Sequence, residues 1–540
     1  MTTDVYGRLH AGVSQRTGLF TLTAHRRLSD ALLLTPMLVM VAALAKLPEA
    51  VLPISSDTGM YATYGRLVLD GATPYVGFWD VHPPLVFFYW ALVDGLGGAD
   101  WVRTIATAHV LDGALTVAAG LFTSAIARRL GSSMGVAAVA AVLMVSFANL
   151  SMLSQEGSNP TKLALLPSTI AVWAYVRSNA DSRTAWRWAV LAGIGGGLAM
   201  LCKQPAALTL IGLGGHAAWN APTGAHARCR SMRLLALVGG AAAVLGVSAG
   251  YLAWIGALGA FVEQTLTYNI ARLLLGYWHS AEGLRAPSIR LDRVVQEAAA
   301  ALVLMSFVGT LGVAFKPDHR LQRVLLWITA ANLVAVAGFR EFDQIVPSLS
   351  ILAAVGIGRL WSAAGRDGFE LGQSAVGRLA LVAIFGTVVA LSSSFQVTEI
   401  QRAWFERGPK SSPAATELLA VHVRQDVPPG TLFICGNGGQ LYELSGREPA
   451  SRFLNAEALR IGAPGYARDR AELLTQLARH PAAAIVVAPH TDQPDLRLAD
   501  FPDFSGLISS CYSVVPLEAE AARDWSLYVR RPGLPSCGLT

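Results

Sequence analysis

Charged residues are scarce in this sequence. Asp, Glu, Lys and Arg make up 14% of its 540 residues, whereas 53% of the residues are hydrophobic. Because soluble proteins carry about 25% charged residues, this composition points to a lipid bilayer. Apolar runs of about 20 residues recur along the chain, and each is long enough to cross ~30 Å of hydrocarbon.

Several other features are missing from the sequence. The first apolar run, near 31–50, lacks a signal-peptide cleavage pattern, so we expect it to remain as a helix. A compact basic patch interleaved with aromatic residues is also absent, which argues against a nucleic-acid partner. The glycines of "GNGG" at 436–439 lack the full nucleotide-binding fingerprint, and we interpret them as a turn.

The apolar runs predict a multi-pass α-helical membrane protein with about eleven transmembrane helices. The predicted spans are 31–50, 101–127, 133–153, 161–177, 187–203, 205–220, 233–256, 296–315, 321–339, 343–361 and 378–396. Lys and Arg cluster in alternate loops, for example at Arg128 and Arg129, which places those loops and the amino terminus in the cytoplasm. We expect the chain to lie in a bacterial inner (plasma) membrane.

Three segments follow from this topology. Residues 1–30 form a cytoplasmic segment, 31–396 the transmembrane domain with an external loop at 53–100, and 397–540 an extracytoplasmic domain. In the last segment, helical patterns at 411–427 and 468–480 alternate with short apolar strands in "GTLFICGN", "AAAIVVAPH" and "WSLYVRR". This alternation predicts a small α/β domain.

Cysteine is rare, with five residues in the chain. Cys202 lies in or near a predicted span, and Cys229 is expected in the cytoplasm. The external segment contains Cys435, Cys511 and Cys537. An oxidising compartment permits one disulfide among these three, and we favour Cys511 with Cys537.

The external loop contains a polar stretch, "SSDTGMYATYGRLVLDGATPYVGFWDVHPPL", that is unusual in so apolar a chain. The spacing of Tyr61, Tyr64 and Leu67 predicts a helix at the membrane interface. Two prolines after His82 mark the start of a second interfacial helix, "LVFFYWALVDGLG". Carboxylates held between helices at the lipid–water boundary, such as Asp57, suit deprotonation of a hydroxyl group.

This stretch resembles the first external loop of the GT-C polyprenyl-phosphate-sugar glycosyltransferases. The pattern is similar to glycosyltransferase family 39, which includes protein mannosyltransferases and lipid A aminoarabinose transferases. The matching residues are Asp57, Tyr61, Gly71, Pro74, Tyr75, Asp80, Pro83, Pro84 and Leu85. "GGLAMLCKQP", "REFDQIVPSL" and "GNGGQLYELSGREPASRF" also resemble segments of this family.

The resemblance implies a GT-C fold and transfer of a sugar from a polyprenyl phosphate to a hydroxyl of an envelope lipid, glycan or protein. It implies that Asp57 is the general base, and that Lys203 and Arg340 lie near the phosphate. The remaining residues expected to contact substrate are Tyr61, Tyr75, Asp80, His82 and Gln204.

The sequence departs from the family at two positions of the loop. Thr58 stands where aminoarabinose-type relatives carry a second acidic residue. His82 stands where many relatives carry Lys, so a phosphate contact there would be weaker or pH-dependent. No cofactor is required by the pattern; Asp80 and His82 are weak candidates for two ligands of a divalent metal.

Simpler interpretations of these residues remain open. Asp57 could cap a helix, Asp80 could accept bonds from loop amides, and Lys203 could extend to the membrane interface. Arg340 could belong to a solvated ion cluster, and Tyr268 to an interfacial aromatic belt. At the level of the whole protein, the alternatives are a transporter or flippase, a polymerase or ligase of lipid-linked glycans, and a non-catalytic scaffold.

Overall fold

The computed structural model describes most of the chain. The described residues are 34–46, 54–98, 100–149, 158–179, 184–219, 226–275, 306–311, 313, 321–339, 344–363, 413–436, 438–454, 459, 464–487, 502–517 and 525–534.

The described residues between 34 and 363 are mostly helical. The helices are α1 (Leu34–Lys46), α2 (Ser56–Leu69), α3 (Leu85–Gly97), α4 (Trp101–Arg129), α5 (Met134–Ala148), α6 (Pro160–Ser178), α7 (Ala185–Cys202), α8 (Ala207–Trp219), α9 (His226–Trp254), α10 (Leu258–Phe261), α11 (Tyr268–Leu275), α12 (Arg323–Phe339) and α13 (Val346–Ala363). A π-helix, Val262–Thr267, joins α10 to α11.

Helices lie within most of the predicted spans. Among the described residues, three are long and apolar enough to cross a membrane: Trp101–Arg129, Ala185–Cys202 and Ser231–Trp254. The predicted span at 378–396 lies outside the described residues, and that at 296–315 is described only in part. The number of spans and the orientation of the chain therefore remain predictions.

Small residues allow the long helices to pack closely. A Cβ atom at Gly193 of α7 would lie 2.0 Å from Leu237 O of α9. On another side of α7, a Cβ at Gly195 would lie 2.8 Å from Pro167 O of α6. Glycine at these two positions lets the backbones approach, as is common between membrane helices.

Residues 413–534 contain a mixed four-stranded sheet and four helices. The strands are β1 (Leu432–Cys435), β2 (Ala484–Val487), β3 (Tyr512–Val515) and β4 (Ser526–Arg530), in the order β1-β2-β4-β3. β1 and β2 are parallel, and the other two pairs are antiparallel. The helices are α14 (Pro413–Gln425), α15 (Gln440–Ser445), α16 (Tyr466–Arg479) and α17 (Pro502–Cys511).

The predicted positions of three strands agree with the structure, whereas β3 was not predicted. β3 follows α17 directly, without a turn residue to mark its start. Ser513 and Val514 on this edge strand are exposed. Cys511 is disulfide-bonded, and its favoured partner, Cys537, lies outside the described residues. Cys202 and Cys435 are buried free thiols.

One apolar cluster joins the helix α2 to this carboxyl-terminal region. Tyr61 and Tyr64 of α2 are 2% and 0% exposed, and they share a core with Leu441, Tyr442 and Trp525. The helix that the tyrosine spacing predicts is confirmed, and Tyr61 and Tyr64 face a protein core. The position of α2 at the membrane interface stays a prediction. Aromatic residues at helical spacing suit a protein core equally well, and the core is supplied from almost 400 residues further along the chain.

Close backbone packing and buried polar contacts complete this junction. A Cβ at Gly59 would lie 2.3 Å from Gln440 Cα, so only glycine fits without a shift. Gly439 N donates to Ser56 Oγ at 2.9 Å.

A buried carboxylate lies in the same junction. Glu443 accepts a hydrogen bond from Thr63 Oγ1 and pairs with Arg66 Nη1, both at 2.9 Å. Burial raises the pKa of Glu443, although Arg66 and Thr63 oppose the change. The buried carboxylate of Glu443 is tolerated because Thr63 and Arg66 are its partners. Since both partners lie on α2, they also fix the register of α15 on that helix.

We expect Gly59→Ala to destabilise the protein by about 1–3 kcal/mol, because the added methyl group meets backbone rather than a mobile side chain. Gly95→Ala is the matched control: its Cβ would lie 3.9 Å from Leu69 Cδ1, and alanine improves helix propensity by up to ~1 kcal/mol. Thermal unfolding in detergent measures both. A melting temperature for Gly59→Ala equal to that of Gly95→Ala would contradict the observed junction.

Candidate active site

The segment between α2 and α3, residues 70–84, is held in an irregular conformation. Among the described residues, Tyr75 is the one non-glycine residue with a positive φ, 68°. Such a conformation costs about 1–3 kcal/mol and requires support from its surroundings. Tyr75 is fully buried, between the rings of Phe87 and Phe261. Its hydroxyl donates to His82 O at 2.8 Å, and burial raises its pKa well above the usual value, so it stays protonated.

Asp80, His82 and Tyr61 form a chain of hydrogen bonds. Asp80 Oδ1 lies 2.7 Å from His82 Nδ1 and also accepts from His82 N at 2.7 Å. On the other side of the ring, His82 Nε2 lies 3.0 Å from the Tyr61 hydroxyl. Asp80 is fully buried, and the His82 side chain is 16% exposed. A carboxylate at Nδ1 orients the imidazole and stabilises a proton on that nitrogen.

This arrangement bears on the metal expectation. Asp80 Oδ1 and His82 Nδ1 are bonded to each other, whereas Asp80 Oδ2 is buried and makes no hydrogen bond in the structure. Within the described residues, no group of three or more His, Cys, Asp or Glu side chains is arranged to hold a metal. The bond through Oδ1 orients His82, and a metal at this pair stays a prediction.

Asp57 lies in the first turn of α2, but it is not the cap of that helix. Ser55 is the N-cap, and its Oγ accepts a hydrogen bond from Thr58 N at 3.2 Å. The capping interpretation of Asp57 is therefore wrong. Asp57 is half-buried and lies four residues before Tyr61, so both side chains lie on one face of the helix.

The "CKQP" turn meets the loop from a distant part of the sequence. Gln204 Nε2 donates to Val81 O at 2.8 Å, which places the turn beside His82. Lys203 ends α7 in an extended conformation immediately before this contact. The structure thus brings the "CKQP" turn to the loop that carries Asp80 and His82. Arg340, the other expected cation, lies outside the described residues.

Two polar residues that the sequence did not predict, one on the π-helix and one at the start of α11, contact the loop. Gln264, 4% exposed, accepts from Asp80 N at 3.1 Å and donates to Tyr75 O at 2.8 Å. The side-chain amide of Gln264 therefore bridges the backbone of Tyr75 and the backbone of Asp80. Asn269 Nδ2 donates to Val81 O at 3.1 Å. π-Helical turns often occur at functional sites, and the polar residues within an otherwise apolar stretch were the available signal.

Tyr268, on α11, packs inside the protein. It is 4% exposed, and its ring meets Trp79 edge to face with centroids 5.2 Å apart. The expectation that Tyr268 belongs to an interfacial aromatic belt is therefore wrong.

Another buried carboxylate, Asp112 of α4, joins the helices around the loop. Its Oδ1 accepts from the Tyr89 hydroxyl of α3 at 2.8 Å, and its Oδ2 accepts from Ser158 Oγ. Lys46 Nζ of α1 lies 3.7 Å from Oδ2. Ionisable groups inside a membrane protein are costly and need such partners. Asp112 thus ties α1, α3 and α4 together below the candidate site.

Comparison with known proteins identifies one matching family model and several structures of similar fold. Residues 81–254 match the family model described as dolichyl-phosphate-mannose-protein mannosyltransferase. The structure resembles ArnT from Cupriavidus metallidurans bound to undecaprenyl phosphate, with a TM-score of 0.54, 12% identity, and coverage of 92% of this chain and 98% of that one. The chain has the GT-C glycosyltransferase fold.

Two further GT-C proteins share the fold. The oligosaccharyltransferase AglB from Archaeoglobus fulgidus, in complex with an inhibitory peptide and a dolichol-phosphate, gives a TM-score of 0.55 at 11% identity, covering 93% of this chain and 74% of that one. The arabinofuranosyltransferase AftD from Mycobacteria gives 0.52 at 15% identity, covering 92% and 40%. A search of curated protein sequences found no match.

We expect Gln264→Leu to lower both stability and activity. The change keeps the side-chain size but leaves the Asp80 N–H without its partner, at about 1–3 kcal/mol, and leaves Tyr75 O with the 3.4 Å contact from Arg452 Nη1. Gln322→Leu is the control, because it removes one bond to a backbone carbonyl, Leu130 O at 2.7 Å, far from the loop in sequence. Sugar transfer per folded protein, with folding followed by thermal unfolding, distinguishes them. Equal activity in the two variants would argue that Gln264 does not position the loop.

Proposed function

We propose that the chain is a membrane glycosyltransferase that moves a sugar from a polyprenyl-phosphate donor to a hydroxyl group of an envelope lipid, glycan or protein. The observation that carries the proposal is the meeting of the Asp57–Tyr61 face of α2 with the Asp80–His82 corner and the "CKQP" turn. Support also comes from the fold and from the polyprenyl phosphates bound by two of the similar structures.

In the proposed reaction, Asp57 is the general base. Its carboxylate takes the proton of the acceptor hydroxyl as that oxygen forms a bond to the anomeric carbon of the sugar. The bond from the anomeric carbon to the phosphate oxygen breaks, and its electron pair leaves with the polyprenyl phosphate. Attack from the face opposite the leaving group inverts the anomeric centre. A positioned base contributes about 10²–10⁴-fold to the rate of such a step.

Cations are needed at the leaving phosphate, because negative charge builds there as the bond breaks. His82, Lys203 and Arg340 are the groups we assign to it. Asp80 would hold the imidazole of His82 by Nδ1 and leave Nε2 on the side of Tyr61. Nε2–H of His82 would donate to a phosphate oxygen in place of the Tyr61 hydroxyl, while the buried Asp80 carboxylate balances the charge of the ring.

The proposed location follows from the distribution of charge along the chain. We place the protein in the bacterial inner membrane with the amino terminus in the cytoplasm, and the loop and the carboxyl-terminal region on the outer face. A lipid-linked donor and a growing envelope acceptor would meet on that side. A failure of donor turnover would favour the transporter alternative.

Asp57→Asn should abolish sugar transfer, with a loss of at least ~10²-fold, because the amide keeps the size of the side chain but cannot accept the proton. Asp70→Asn is the matched control, the same change at the exposed end of α2. Mass spectrometry of a panel of polyprenyl-phosphate sugars measures donor consumption and released polyprenyl phosphate, and donor binding is measured separately. Unchanged turnover in Asp57→Asn would remove the assigned base.

His82→Gln should lower the rate of sugar transfer, whereas His82→Lys should retain it. Glutamine keeps a donor but no charge, and we expect transfer to fall by roughly 10²-fold. Lysine restores a cation that the buried Asp80 can balance, and we expect it to retain activity. Wild-type rates of sugar transfer in both variants would exclude a phosphate contact by His82.

A further inference from the structure

A cleft of about 620 Å³ opens between the loop and the carboxyl-terminal region. Tyr75, Val76 and Gly77 form one side, while Ser451, Arg452, Glu472, Gln476 and His480 form most of the other. The cleft falls within the ~300–1,000 Å³ typical of small-molecule sites. Tyr75, whose hydroxyl bonds to His82 O, thus belongs both to the lining of this cleft and to the loop of the candidate active site.

The charges that line the cleft neutralise each other. Arg452 Nε and Nη2 donate to the two oxygens of Glu472 at 2.6 and 2.8 Å, and Arg452 Nη1 donates to Tyr75 O at 3.4 Å. The guanidinium is therefore committed within the protein. This argues against a phosphate or another anion as the ligand, which would need a cation with open donors.

The remaining polar groups suit hydroxyl groups. Gln476 Nε2 donates to Glu472 Oε1 at 2.9 Å, and Gln476 Oε1 accepts from Ser451 Oγ at 2.8 Å. Glu472 is 34% exposed, and its carboxylate offers roughly four acceptor positions, of which these contacts occupy three. His480 is exposed and adds a polar ring. Apolar surface between these groups, from Leu67, Val76 and Ala260 among others, would meet the C–H faces of a sugar.

We propose that this cleft binds a neutral carbohydrate segment of the acceptor, remote from the hydroxyl group that reacts. That the bound carbohydrate belongs to the acceptor rests on the proposed function. Binding of carbohydrate in the cleft does not itself require catalysis. A bound glycan chain would be held beside Tyr75 while its end reaches Asp57. The cleft would then select the glycan that the enzyme extends or modifies.

The test blocks the cleft from its exposed side. Val76 is 50% exposed, and Val76→Trp would fill the cleft without entering the core. Val514→Trp is the matched control, the same change at a 65% exposed valine on β3. Binding of mannan, arabinan and galactan tetrasaccharides to the full-length Asp57→Asn protein is followed by saturation-transfer NMR. His480→Ala serves as a second, smaller change in the cleft.

We expect at least one tetrasaccharide to bind the Asp57→Asn protein and its Val514→Trp variant, and to bind at least tenfold more weakly after Val76→Trp or His480→Ala. Binding of undecaprenyl phosphate should be the same in all four proteins. No tetrasaccharide binding, equal binding in every variant, or loss of undecaprenyl phosphate binding on Val76→Trp would each overturn the proposal. Cleft-dependent binding by a wild-type protein that transfers no sugar would support the cleft and overturn the transferase.

Discussion

The peptide groups of the irregular loop must find hydrogen-bond partners outside any helix or sheet. Buried and unpaired, each would cost about 1–3 kcal/mol. The structure meets this requirement with side-chain amides from distant parts of the chain: Gln204, Gln264 and Asn269 bond to loop atoms at 2.8–3.1 Å. The orientation of His82 depends on these contacts, because they hold the backbone on both sides of Asp80. The positive φ of Tyr75 persists for the same reason.

The carboxyl-terminal region contributes directly to this loop. Trp79 N donates to Arg452 O at 2.8 Å, and Arg452 also reaches Tyr75 O. Together with the core shared by Tyr64 and Trp525, these bonds make the region part of the support of the candidate site. These contacts would not be expected if the carboxyl-terminal region were a separate domain that does not touch the loop.

Local signals in the sequence predicted what depends on neighbouring residues. Pro83 and Pro84 marked the start of α3, and the spacing of the tyrosines predicted α2. What the sequence could not provide was the identity of distant partners. Tyr61 and Tyr64 suit a membrane interface or a protein core, and only the presence of α15 decides between them. Gln264 was not predicted because its role in supporting the loop depends on hydrogen bonds to Tyr75 and Asp80, almost 190 residues earlier.

The contact between Thr63 and Glu443 spans 380 residues of sequence, and this separation has a consequence for biosynthesis. At about 5–20 residues per second, a ribosome needs on the order of 20–80 s to make the chain between these two residues. During that time α2 and the loop exist without the surface that buries them. The nascent protein therefore exposes Tyr61 and Tyr64 until the carboxyl-terminal region at 413–534 has been made. The candidate site can assemble only after that region has been synthesised, so the order of translation delays sugar transfer until then.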